Sequence, residues 1–354
     1  MTRIVFGLMS AADRVDTIDQ LAESLLPARV IVHQDHHRLA RRHFDAPNVH
    51  LVPNPGATGR ESRDPAGGVL RMLEHALEHF QFDLLITLAP TCLPIRPLAE
   101  LVDYLEGHPA DAYTDLVMLD DDPEALAEFA AEMFYPAGSL RQRAMLKLRD
   151  FALSSGFDRI GRQGLSIARP KRRDWRWRAG QHLARAALEG KTAGHPFGPA
   201  LRPAVGAPWF GATRPVLERM LEIGRDGRML AHYRRCRSVD ENFFATVIAN
   251  MHCRVEPMLH FTDDPDPSGR AHDLDASGLA RARASGKFFA HRFGDDPRDP
   301  VRLAALAAIE RDHVRSRAGR MPATMSAMLA EITRSVDARH ALRHVDTGAE
   351  SVTN

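Results

Sequence analysis

The sequence predicts an α/β fold in which a mainly parallel sheet is flanked by helices. Two observations predict it. Apolar runs without alternation recur at residues 3–9, 30–32, 49–52 and 82–88, as expected of strands covered on both faces. Segments with apolar residues at helical spacing lie between them, and that order of strand and helix selects a parallel sheet.

Each element has a local reason. Residues 3–9 form the first strand; the run is too brief for a secretory leader, and Asp13, Asp16 and Asp19 follow at once. Val15, Ile18, Leu21, Leu25 and Leu26 then fall at helical spacing over 13–26. The strand at 30–32 ends in the polar run His33-Gln34-Asp35-His36-His37, and the strand at 49–52 is closed by Pro53-Asn54-Pro55-Gly56. A helix near 66–79 carries Val69, Leu70, Met72, Leu73 and Leu77 toward one side. Residues 82–88 are the clearest buried strand, leading through Ala89-Pro90-Thr91-Cys92-Leu93-Pro94 into a helix near 97–106. The pattern resumes at 207–220 and 238–262. Residues 274–293 read as a loop, a helix and a final strand, and amphipathic helices follow from about 298. The expected organisation is one domain over 1–295 with an insertion at about 140–205, then a helical extension over 296–354 ending in a frayed tail.

Composition narrows the function classes. Lys and Arg number 47 against 46 Asp and Glu, a net charge of +1, so electrostatic recognition must come from local clusters. One such cluster is clear: residues 141–188 hold thirteen Lys or Arg against three Asp or Glu, densest at 169–178, where Trp175 and Trp177 interleave with arginines. That stretch fits a nucleic-acid or anionic-membrane binding module, or a solvated loop over a site. The three cysteines, Cys92, Cys236 and Cys253, are far apart in sequence and suit a reducing compartment. With no run long enough to span a bilayer, a cytoplasmic protein is expected, with a peripheral contact on anionic lipid as an option. No Gly-x-Gly-x-x-Gly follows the first strand and there is no P-loop, which speaks against a dinucleotide or P-loop nucleotide site.

In a parallel sheet, ligands bind beyond the carboxyl ends of strands. Three segments carry candidate chemistry. In Ser238-Val239-Asp240-Glu241-Asn242-Phe243-Phe244, an acid stands in the first turn of a helix, as a dipole partner or as a catalytic group. In the segment 206–214, Trp209 and Phe210 sit among small residues and offer a stacking surface for a sugar, or an ordinary core pair. In the segment 285–293, Lys287, His291 and Arg292 interleave with aromatics and suit a diphosphate, or solvated edge charges. Metal readings are weaker. Asp120-Asp121-Asp122 after an apolar run reads first as a solvated turn, and His33, His36 and His37 end a strand rather than share a helix face.

Taken in order, these pieces resemble the core-2/I-branching glycosyltransferases, a family that includes the peptide O-xylosyltransferases. Residues 30–35 are similar to its strand ending in Ile-His-x-Asp. Residues 88–97 are similar to its Leu-Ser-x-x-Asp-Tyr-Pro-Ile-(Lys/Arg) segment. Trp209-Phe210 with Thr213-Arg214 is similar to its Trp-Trp/Phe-x-Leu-Thr/Asn-Arg segment. Asp240-Glu241-Asn242-Phe243-Phe244 is similar to its Pro-(Asp/Ala)-Glu-Ser-(Phe/Tyr)-Phe motif, and residues 285–293 are similar to its closing Ser-x-x-Leu-Phe-Ala-Arg-Lys-Phe.

The resemblance implies a GT-A-type, Rossmann-like fold and an inverting transferase without an essential metal or other cofactor. Its donor would be a UDP-sugar, with GlcNAc or xylose the first candidates, and its acceptor a hydroxyl in surface polysaccharide or glycoconjugate assembly. It puts Glu241 on the catalytic base and Asp35 on a uridine-binding position. His291 and Arg292 fall on the basic pair facing the diphosphate, with Lys287 nearby on the donor side. Trp209, Phe210 and Asp240 would line the acceptor side. Four departures accompany it: Cys92 stands where the family has Asp, His291 where it has Arg, Pro208 replaces a polar residue, and no Trp lies in 56–68. An inactive homologue is the alternative these departures leave open.

Overall fold

A computed structural model describes residues 2–10, 15–35, 42–53, 55, 66–119, 157, 158, 169, 170, 197, 200–226, 229, 233, 239–263 and 272–318. The main sheet is built from β1 (Ile4–Ser10), β2 (Arg29–Gln34), β3 (Val49–Leu51) and β4 (Leu84–Leu88), all parallel. Val5 lies opposite Arg29 and Ile4 opposite Leu84. β1 and β2 are covered by α1 (Val15–Ser24), which connects them. α2 (Gly67–His79) returns the chain from β3 to β4. The expected strands and helices of the first hundred residues are all present, within a few residues of their predicted ends.

Beyond β4 the chain makes a two-residue strand, β5 (Leu93–Pro94), and then α3 (Leu98–Gly107), β6 (Ala112–Tyr113) and β7 (Leu116–Met118). Within the basic stretch, β8 (Phe157–Asp158) and β9 (Arg169–Pro170) pair antiparallel. The rest of 171–178 lies outside the described residues, as do Asp120, Asp121, Asp122, His36 and His37. β10 (Ala204–Gly206) pairs antiparallel with β7. β11 (Gly211–Thr213) then enters the main sheet between β6 and β4, antiparallel to both. α4 (Arg214–Gly224), α5 (Val239–Ala249) and β12 (Val255–Glu256) follow, and β12 closes the sheet parallel to β6. The order is β12-β6-β11-β4-β1-β2-β3, so only β11 runs against the other strands.

The two faces separate by alternation, because successive side chains of a strand point to opposite sides. Ile4, Phe6 and Leu8 pack with Ile18 and Leu21 of α1 and Leu101 of α3. Val5 lies on the other face with Ile31, Leu85 and Ala212, under Met72 and Leu73 of α2, Leu217 of α4 and Phe243 of α5. Against the first face stands a second small sheet of β13 (His260–Thr262), β14 (Phe289–His291) and β5, with β13 parallel and β5 antiparallel to β14. α6 (Ala276–Ala284) connects β13 to β14. The Asp275 side chain caps α6 by accepting from the Gly278 N–H at 2.7 Å, and Gly286 turns the chain with φ 75°.

The helix expected as an extension, α7 (Pro300–Ala318), buries Ala305 in the same core as β1. Its Arg302 is fully buried, and the guanidinium donates to the Gln20 Oε1 of α1 at 2.8 Å and to the Gly294 carbonyl at 3.1 Å. Gln20 in turn donates to the Pro297 carbonyl at 2.9 Å. No helix among the described residues is long and apolar enough to cross a membrane.

Candidate active site at the carboxyl edge of the sheet

The parallel strands β1, β2 and β4 end on one edge. At the end of β2, Asp35 is fully buried and its N–H donates to the Ser10 carbonyl at 3.1 Å. β4 ends in a tight turn in which the Cys92 N–H donates to the Ala89 carbonyl at 2.9 Å, and the Ala89 N–H is 3.3 Å from the Cys92 Sγ. Burial pushes the Cys92 thiol up to about 12, against the opposing pull of the Ala89 N–H and Arg302. It therefore stays protonated and closes the turn rather than reacting.

That turn positions the end of β14. Because Ala290 pairs with Leu93, His291 lands beside Thr91, with Nδ1 3.2 Å from Thr91 Oγ1 and 3.7 Å from Cys92 Sγ. Cys92 and His291 thus touch each other, as a neutral pair. Burial, helped by the Arg292 charge and opposed by Asp273, lowers His291 to about 4, so at neutral pH it is an uncharged donor or acceptor. Arg292 keeps its charge engaged: Nε donates to Asp273 Oδ1 at 2.6 Å and Nη2 lies 3.6 Å from Asp295 Oδ2. A diphosphate held by Arg292 would share it with those carboxylates or displace them.

Trp209 reaches this edge through β11. Its neighbour Phe210 is locked to Thr87 at the end of β4: the Thr87 N–H donates to the Phe210 carbonyl at 2.9 Å, and the Phe210 N–H to the Thr87 hydroxyl at 2.8 Å. The Trp209 ring lies 4.4 Å from the His291 ring and 5.6 Å from that of His260, stacked at 22° on the latter. His260, on β13, is buried and neither ring nitrogen has a hydrogen-bond partner among the described residues. Burial, with the charges of His291 and Lys287, lowers it to about 3. Phe210 points the other way, as alternation requires: it is buried, with its ring 5.2 Å from Phe244 of α5. It is a core residue and does not line the edge with Trp209.

Lys287 is placed apart as well. It precedes β14, at the end opposite His291, and its Nζ donates to the Met258 carbonyl. The side chains of Asp240 and Glu241 lie outside the described residues, but the backbone of their helix is fixed. Asn250 Nδ2 donates to the Arg202 carbonyl at 2.7 Å, Thr246 Oγ1 to the Ala204 carbonyl at 3.0 Å, and Phe244 packs on Phe210. α5 therefore runs antiparallel to residues 202–206, and its first turn lies toward the Trp209 end. Gly206 permits this approach, since a Cβ there would run into the Asp115 carbonyl and come within 3.1 Å of Ala245 Cβ. Beside Glu241, Asn242 is buried, and its Oδ1 has no hydrogen-bond partner among the described residues.

A cleft of about 550 Å³ opens at the same edge, lined by Val15, Asp16, Thr17, Arg42, His43, Asp295 and Pro297. Among the described residues no group of three or more His, Cys, Asp or Glu is arranged to hold a metal. Sequence reading missed Thr91, His260 and Asp273. Thr91 lies within the 88–97 segment without being singled out there, Asp273 carries no motif, and His260 is one imidazole in a short apolar segment.

No family model matches the chain, and no curated protein matches it. Among solved structures it is similar to the apo form of the WbbM bifunctional glycosyltransferase, at 10% identity and TM-score 0.34, over 86% of this chain. The chain spans about half of that protein's length (51%), and a likeness at that score decides neither fold nor activity.

Proposed function

We propose that the chain is a glycosyltransferase that moves a sugar from a UDP-linked donor to an acceptor hydroxyl, by a single inverting displacement and without an essential metal. What supports this reading is that Asp35, Trp209 and His291-Arg292 follow or adjoin strand ends on the carboxyl side of a mainly parallel sheet, with the Trp209 ring 4.4 Å from that of His291. These segments lie far apart in sequence, and each was singled out by its resemblance to a transferase motif.

In this reading Asp35 receives the nucleoside and Arg292 the diphosphate. Trp209 offers its ring to the pyranose. The Glu241 carboxylate takes the acceptor proton as the acceptor oxygen bonds to the anomeric carbon, while the bond to the diphosphate oxygen breaks and UDP leaves. The charge that develops on the leaving group is met by Arg292. His291, neutral at pH 7, contributes a hydrogen bond rather than a second cation. GlcNAc and xylose are the first sugars to try, with an acceptor in polysaccharide or glycoconjugate assembly.

The test is a melting panel of nucleotides and UDP-sugars, each with and without EDTA. Stabilisation selective for UDP compounds that survives EDTA supports the proposal; no response to any nucleotide overturns it. Glu241→Gln is expected to keep donor binding and to lose transfer by about two to four orders of magnitude. Undiminished transfer in that variant would remove Glu241 from the mechanism.

A further inference from the structure

We propose that a second cleft, along the edge strand β3, is an oxyanion site for a phosphate-bearing ligand, held more tightly as pH falls. The cleft has a volume of about 610 Å³ and is lined by Arg42, His43, Phe44, Val49, His50, Leu51 and His75. Phe44, Val49 and Leu51 give it apolar walls, and every titratable side chain that lines it is an arginine or a histidine.

The nitrogen-bearing groups that line it come from three elements, His50 from β3, His75 from α2, and Arg42 with His43 from the segment before β3, and Arg29 of β2 stands beside His50. Arg29 Nη1 lies 3.2 Å from His50 Nε2. A guanidinium only donates, so this contact needs an unprotonated Nε2, and His50 is neutral while it lasts. His79 backs His75, with ring centroids 4.3 Å apart. Acids stand nearby: Asp45 lies 3.9 Å from His43 itself, Glu78 is 4.0 Å from His79, Glu74 pairs with Arg225, and Asp16 and Asp295 line the adjoining cleft that Arg42 and His43 share.

Burial lowers the proton affinity of both His50 and His75. Arg29 adds to this at His50, and His79 and His50 add to it at His75, with Glu78 opposing. An oxyanion in the cleft reverses that field. It accepts from Arg29 and Arg42, and it lets the imidazoles take up protons without mutual repulsion. Donors from several directions suit a tetrahedral group with three or more oxygens better than a planar carboxylate. The same chemistry is presented by a soluble phosphorylated molecule and by a phospholipid headgroup.

The experiment is calorimetric titration of the full chain with pyrophosphate at pH 7.5 and 5.5, in buffers of different ionisation enthalpy. Binding at pH 5.5 should be tighter by roughly tenfold or more, with proton uptake on binding. The double substitution His50→Gln with His75→Gln should erase the pH dependence, and Arg29→Gln should weaken binding at both pH values. Unchanged melting of each variant shows that the fold is intact. Co-sedimentation with phosphatidic acid vesicles, compared with phosphatidylcholine vesicles, separates a headgroup from a soluble ligand. Equal affinity at both pH values, binding untouched by these substitutions, or saturation by Zn²⁺ and not by pyrophosphate would overturn the proposal. Arg292→Gln should leave this pH-dependent binding in place, so its outcome and that of the transferase proposal are read separately.

Discussion

Two groups of histidines sit on opposite sides of the same sheet and live in different media. His260, buried, and His291, largely buried, lie against Trp209 and are lowered to about 3 and about 4. His50 and His75 line an open cleft at the β3 edge and are lowered by a partial burial that neighbouring cations assist. The first pair is neutral throughout the physiological range and acts as packing with hydrogen-bonding edges. The second is only partly buried and so can respond to a bound charge. Depth of burial, rather than residue type, separates a fixed imidazole from a responsive one.

The largest effect expected from this contrast is in acid. Unfolded histidines bind protons below about pH 6.5, whereas folded His291 does so only near 4 and His260 lower still. Between those values the unfolded chain binds more protons, so stability is full above pH 6.5 and falls as the pH drops toward 4. At about 1.4 kcal/mol for each tenfold in proton affinity, His291 alone accounts for on the order of 3 kcal/mol. Denaturant melts at pH 7.5, 6 and 4.5 check this, and His260→Phe should flatten the acid limb. A wild-type protein equally stable at all three values would end the distinction between the two groups.

A smaller effect is expected at Thr87. Its hydroxyl accepts from the buried Phe210 N–H that holds β11, and with it Trp209, against β4. Thr87→Val leaves that donor without its side-chain acceptor and should cost about 1–3 kcal/mol. The cost should appear in the urea midpoint, with a matching loss of any sugar-dependent quenching of Trp209 fluorescence. Least affected should be the β3 cleft. His75→Gln, at a partly exposed site, should move stability by no more than about 0.5 kcal/mol, and melting temperature checks it.

The parts of the fold legible in the sequence were those specified locally. β1, β2 and β4 are apolar runs long enough to be buried on both faces, and α1, α2 and α3 carry their own periodicity. β5, β6 and β10 were not legible, because Leu-Pro, Ala-Tyr and Ala-Val-Gly become strands only through partners distant in the chain. The reversal of β11 was hidden for the same reason. At the candidate site, Trp209 and Arg292 were singled out through motif context, and Phe210 was grouped with Trp209 although adjacent strand residues face opposite sides. His260 reaches the site by register with Phe289, a relation between residues 29 positions apart that local pattern does not carry.

The burial of Arg302 has a consequence for how the molecule is made. Its guanidinium holds Gln20, near the start of the chain, and the Gly294 carbonyl, which follows the last strand. During vectorial synthesis α1 emerges some 280 residues before this arginine does. The first helix therefore waits for the last described one, and the amino-terminal half leaves the ribosome without the partner that completes its docking.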